Sequence, residues 1–169
     1  MHLLIDGYNL LHVGRSLIQM NSIDLQRERD QLIDKISLYR RQRPCEITVV
    51  FDGWQGGWIT EKREMRKGIE VVFSKRDEKA DEVIKRMAMA KGAGVIVVTS
   101  DREIARYAER LSISVIPSDQ FLERLEKASF RPQRGIFQDE EEARGEKRKG
   151  PSRKLSKKER RRLAALKKL

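Results

Sequence analysis

The chain has 169 residues, of which 37 are Lys or Arg and 26 are Asp or Glu, giving a formal net charge of +11. With 38% hydrophobic residues and no apolar run near the roughly 18 residues of a membrane span, it reads as one domain with an appendage and not as a membrane protein. A lone cysteine, Cys45, excludes a disulfide scaffold and a zinc ribbon, and the opening MHLLIDGYNLLH has an acid where an export signal needs basic and apolar residues, so the expected setting is a reducing cytoplasm.

In chain order, the apolar run HLLI (2–5) predicts a first strand, and Leu25, Leu32, Ile33, Ile36 and Tyr39 then fall on one face of a helix over Asp24 to Gln42, stopped by Pro44. EITVVF (46–51) predicts a second strand and IEVVF (69–73) a third, with a Gly-rich loop between them. A helix follows over Ala80 to Lys91 with Val83, Ile84, Met87 and Ala90 inward, ended by Gly92 and Gly94. VIVVT (95–99) predicts a fourth strand, Asp101 to Leu111 a helix, ISVI (113–116) a fifth strand, and Ser118 an N-cap for a last helix burying Phe121, Leu122 and Leu125. Continuous apolar strands alternating with helices imply an α/β three-layer sandwich around a mainly parallel sheet of about five strands. The body is expected to span residues 1–130, with a charged linker and basic tail over 131–169, flexible or helical on binding.

The charge is unevenly placed. From Arg144 to Leu169 there are 13 basic and two acidic residues, the whole excess, so the first 143 residues are formally neutral. A block of this density is an electrostatic address for polyphosphate, above all nucleic acid. Arg148, Lys149, Arg153, Lys154, Lys157, Lys158, Arg160, Arg161 and Arg162 are its candidate phosphate contacts, with Ser156 and Glu159 in capping-box spacing for a short helix. The acidic run Asp139 to Glu142 precedes this block and can pair with it.

Ligands of parallel α/β sheets bind beyond the carboxyl ends of the strands. Here those positions are acidic: Asp6 follows the first strand, Asp52 the second and Asp101 the fourth, while Asp81 and Glu82 open the helix after the third. Singly, Asp101 and Asp81 read as helix caps and Asp52 as a turn residue. Together, converging carboxylates repel unless a cation sits among them, and oxygen-only ligands suit Mg²⁺ or Mn²⁺. Such an ion activates water for attack on a phosphodiester, with Asn9 supporting the acids and Thr99 and Ser100 able to donate to phosphate. Trp54 and Trp58, in the loop after Asp52, can stack unpaired bases while Lys62, Arg63, Arg66 and Lys67 hold the backbone; a tryptophan that plugs the core edge is the plainer alternative.

LLIDGYNLLH, VVFDG, VVFSKRDEKADEVI and VVTSDREI together resemble the YacP-like NYN domain, a branch of the PIN-like nucleases, over residues 2 to 127. The resemblance implies a PIN-like sandwich, an Mg²⁺- or Mn²⁺-dependent endoribonuclease and cleavage of messenger RNA in association with the ribosome. By the family pattern Asp6 and Asp81 are the core metal-binding acids, Asp101 completes the cluster, Asn9 supports it, and Asp52 and Glu82 are secondary contributors. The GWQGGW loop and the basic tail lie outside the shared motifs. Two other functions compete: an RNA- or ribosome-binding module without catalysis, and a haloacid-dehalogenase-type phosphatase, which would want an acid where Tyr8 stands.

Overall fold

In a computed structural model that describes residues 1–14, 22–53, 59–130 and 156–168, the strands are β1 (His2–Asp6), β2 (Glu46–Phe51), β3 (Lys62–Arg66), β4 (Ile69–Phe73), β5 (Val95–Val98) and β6 (Ser114–Ile116). They form one sheet in the order β3-β4-β2-β1-β5-β6, parallel except for β3. Among the described residues the α-helices are α1 (Gly7–Gly14), α2 (Ser22–Gln42), α3 (Ala80–Lys91), α4 (Arg102–Arg110), α5 (Ser118–Phe130) and α6 (Lys157–Lys168). None of them is long and apolar enough to cross a membrane.

The central strands are apolar on both faces because both are covered. Leu3, Ile5, Val49, Phe51, Val71 and Val98 pack with Leu32, Ile33, Ile36 and Tyr39 of α2 and Phe121 and Leu125 of α5. Leu4, Val50, Val72 and Val97 pack on the other side with Val83, Ile84 and Met87 of α3 and Ile104 and Ala108 of α4. This is the three-layer sandwich the apolar periodicity predicts. In α3 the inward set includes Ala88, and Ala90 is exposed.

The sheet has six strands where the sequence predicts about five. The addition is β3, whose KREMR sequence lacks apolar alternation because it pairs antiparallel with β4 at an edge and keeps charged side chains in water. Its hairpin turns at Lys67 and Gly68, with φ of 53° and 78°, the two left-handed positions that a tight two-residue turn requires. The second difference is α1, which begins directly where β1 ends.

The end of the tail is helical over Lys157–Lys168. Ser156 N–H donates to Glu159 Oε2 at 2.8 Å and Glu159 N–H to Ser156 Oγ at 3.2 Å, the expected capping box, which also holds the Glu159 carboxyl below its usual range. Ala165 is buried and Leu166 half-buried against the α2–α5 side of the core, Arg124 donates to Leu166 O, and Lys158 pairs with Glu109 at 2.8 Å. The helix therefore lies over β6 and the flanks of α4 and α5, where a purely polar helix would have nothing to bury.

Candidate active site at the carboxyl rim

β1 lies between β2 and β5, and the chain order reverses around it, so the crevice at its carboxyl end is the place where this architecture binds ligands. Asp6 ends β1 there, in register with Val50, and is only 6% exposed. Asn9 N–H donates to its Oδ1 at 3.1 Å and the Thr99 hydroxyl donates to its Oδ2 at 3.0 Å. Burial nevertheless pushes the Asp6 carboxyl up to about 6; the two hydrogen bonds oppose the rise, and the charges of Asp81 and Asp101 add to it. The chain can enter α1 at this point because position 7 is glycine: a Cβ there would stand 2.3 Å from the Phe51 ring.

Asp101 caps α4 through Oδ1, which accepts from Glu103 N–H at 2.7 Å and Ile104 N–H at 3.0 Å. Its own N–H donates to Thr99 Oγ1 at 3.0 Å. Asp81, in the first turn of α3, is half-buried; burial, then Asp101 and Asp52, raise its carboxyl above the usual range, against Lys85. Asp52 caps the same helix from another strand by accepting from Ala80 N–H at 2.6 Å. Gly53 then passes so close to β4 that its N–H reaches Ser74 Oγ at 3.0 Å, and a Cβ would lie 1.8 Å from Ser74 O. Asp6 thus feels the charges of Asp81 and Asp101, and Asp81 those of Asp101 and Asp52, which links the four acids along one rim.

Other expected residues sit differently. Glu82 is 61% exposed and turned to Lys85 at 3.0 Å, and Lys85 also pairs with Glu103. Asn9 uses its side-chain carbonyl as a clamp, accepting from Ser100 N–H at 2.8 Å and the Ser118 hydroxyl at 2.7 Å. The Thr99 proton is committed to Asp6, and Ser118 opens α5 with its hydroxyl on Asn9 instead of capping the helix. Lys62, Arg63, Arg66 and Lys67 lie along β3 and its turn. Lys62 is opposite Phe73 at the rim end, whereas Arg66 is opposite Ile69 at the far end. Their charges are engaged within the chain: Lys62 with Glu64, Arg63 with Glu61 and Glu70, Arg66 with Asp30, and Lys67 with Asp34. Lys157, Lys158, Arg160, Arg161 and Arg162 are on α6; the first two, Arg161 and Arg162 line a cleft of about 120 Å³ with Glu109, Ile113, Ser114 and Val115. Trp54, Trp58, Arg148, Lys149, Arg153, Lys154 and the run Asp139 to Glu142 lie outside the described residues.

Two groups near the rim carry little sequence signal. Thr99 looks like the end of an apolar strand, and its role depends on Asp6, 93 residues away. Arg29 looks like one polar residue among many on α2, yet it is 8% exposed and its guanidinium stands 5.3 Å from the Tyr8 ring centroid and 5.7 Å from those of Phe51 and Phe73.

The donor chemistry of the rim, all carboxylate and amide oxygen with two carboxyls raised by burial and mutual repulsion, fits a hard divalent cation held by Asp6, Asp81 and Asp101. Among the described residues no three acid, His or Cys side chains stand close enough to grip an ion as they are oriented. The fit is therefore one of donor type and electrostatics.

A family model described as the YacP-like NYN domain matches residues 3–168. Uncharacterized protein YacP of Bacillus subtilis (strain 168) is 33% identical over 102 residues, 59% of this chain and 59% of that protein, so the match spans less than two thirds of the relative. The crystal structure of Rae1 (YacP) from Bacillus subtilis is similar with a TM-score of 0.60 and 27% identity, over 76% of this chain and 75% of that one. A single-residue mutant of that protein gives a TM-score of 0.63 and 26% identity over 76% of each chain. The α/β fold described above matches these structures.

Proposed function

The chain belongs to the YacP-like NYN domain family, and from that premise we propose that it is a metal-dependent endoribonuclease hydrolysing RNA phosphodiester bonds, with messenger RNA as substrate and the ribosome as the place where it is met. The observation that carries this reading is Asp6: a buried carboxyl in the middle of the sheet's ligand-binding edge, raised to about 6, with Asp81 and Asp101 close enough to raise it further. Acids so arranged destabilise the fold when ionised together, which is a strain expected of a working site and not of a core.

Asp6, Asp81 and Asp101 would hold Mg²⁺ or Mn²⁺, with Asp52 as a neighbour that also fixes the start of α3. The ion, when bound, polarises the phosphate and lowers the pKa of the attacking water. The chain's own part is orientation. Asn9 ties α1 to the loops after β5 and β6, Thr99 aligns Asp6 with Asp101, and capping by Asp101 fixes that side chain at the α4 terminus. The cationic face of α6 supports a polyphosphate partner reached through a second surface.

The test is incubation of the protein with long single-stranded RNA, with Mn²⁺, Mg²⁺ or chelator, in parallel with Asp81→Asn and with translating ribosomes. Internal cuts that need the ion and vanish in the variant are the expected result. RNA or ribosome binding that survives in both proteins with no cutting by either would replace the nuclease with a binding module.

A further inference from the structure

Tyr8 stands two residues after Asp6 on the α2 side of the rim, edge-on to Phe51 with ring centroids 5.3 Å apart. Its phenol oxygen accepts a hydrogen bond from Arg29 Nη2, which comes from inside the core. Arg29 Nη1 is directed elsewhere, to Gln26 Oε1 at 3.2 Å, and the guanidinium lies within 6 Å of three aromatic ring centroids. The ring stays half-buried and near enough to Asp52 to feel that charge. Among the described residues the Tyr8 hydroxyl has no acceptor for its own proton.

A phenol that accepts from a cation becomes a stronger donor, since hydrogen bonds in series polarise one another. A rim made of carboxylates also needs donors if it is to hold a polyanion. We propose that Tyr8 is a substrate-contacting residue that donates its proton to a non-bridging oxygen of the RNA phosphate, and that Arg29 is the positioning residue that sets the phenol for this. The assignment rests on the nuclease reading. The acids supply the reaction centre from the α3–α4 side of the sheet, and Tyr8 supplies a phosphate anchor from the α2 side.

The experiment compares Tyr8→Phe, Arg29→Gln, the double variant and a remote control, Tyr107→Phe, in single-turnover cleavage of one RNA with Mn²⁺, with each melting temperature measured. Loss of one hydrogen bond to a charged phosphate predicts a fall of about 10- to 100-fold in cleavage efficiency for Tyr8→Phe, with the fold intact and the control unchanged. Arg29→Gln should lower it too, and the double variant should fall no further than Tyr8→Phe, because the arginine acts through the phenol. Efficiency in Tyr8→Phe equal to the parent's overturns the proposal, as does a double variant whose losses simply multiply. If the parent cuts no RNA, the nuclease reading fails on its own, and equilibrium binding of the same RNA decides the contact: weaker binding by Tyr8→Phe at one salt concentration sustains it, and unchanged binding ends it.

Discussion

Thr99 joins the two acids on either side of it in space: its hydroxyl donates to Asp6 Oδ2 and accepts from Asp101 N–H, each at 3.0 Å. Valine has the same shape and neither function, so Thr99→Val would leave a buried carboxylate oxygen and a backbone N–H unpaired. A loss of about 1–3 kcal/mol in denaturant unfolding is expected, with the Asp6 carboxyl moved further above 6, and Thr99→Ser should restore most of both. Equal stability of the valine and parent proteins would show that the bond contributes nothing.

Asp6 makes stability depend on pH with a definite sign. Its carboxyl titrates at about 6 in the folded chain, above the value near 4 of an unfolded one, so the folded state binds the proton more tightly. The group's contribution is fully present below pH 4 and is lost as pH rises to 6. Asp6→Asn, neutral throughout, should gain on the parent across that window, by on the order of 2 kcal/mol at pH 7 in chelator. Mn²⁺ should then stabilise the parent and not the variant. A difference that stays flat from pH 4 to 7 would remove burial of the ionised carboxyl as the cause.

Gly53 carries no side chain because the chain after β2 runs against the backbone of Ser74. Gly53→Ala must push apart the ends of β2 and β4 and draw Asp52 off the start of α3. A melting-curve loss equivalent to about 1–3 kcal/mol and weaker cleavage are expected. Gly94→Ala, with open space where its Cβ would go, should change neither.

Ala165 is the small buried contact of α6 with the core. Ala165→Arg should release the helix and open its many Lys and Arg positions to trypsin at least several-fold faster, while β1, β2 and β5 keep their amide protection. Unchanged digestion would mean that the helix is held by Lys158–Glu109 and Arg124 instead.

The layering was legible because the central strands are short runs of Leu, Ile and Val and the apolar part of the inward face of α2, Leu25 to Tyr39, falls at helical spacing. The four acids were legible for a topological reason, since strand ends in a parallel sheet share one edge. β3 was not, because an edge strand paired on one side and wet on the other needs no apolar alternation, and KREMR has none. Nor was α1, since in LLIDGYNLL apolar residues flank the short Asp6–Asn9 stretch on both sides and eight helical residues are too few to show a change of period where the strand becomes a helix. The long-range contacts of the Asn9 and Thr99 side chains, to Ser100, Ser118 and Asp6, span 91 to 109 residues, a distance across which a single sequence holds no record of contact.

An open sheet offers two rows of unpaired backbone groups to any passing strand, and this one closes them by different means. At β3 the edge carries Lys62, Arg63, Glu64 and Arg66, whose charges make an incoming strand unwelcome. At β6, a strand of only three residues, the guard is α6. The helix that holds the tail's densest described positive charge is thus also what shields a sticky border. A truncated chain would be prone to self-association, so any loss of RNA affinity on removing the tail has to be separated from aggregation, and charge-swapped α6 variants that remain docked will report on binding more cleanly than deletions.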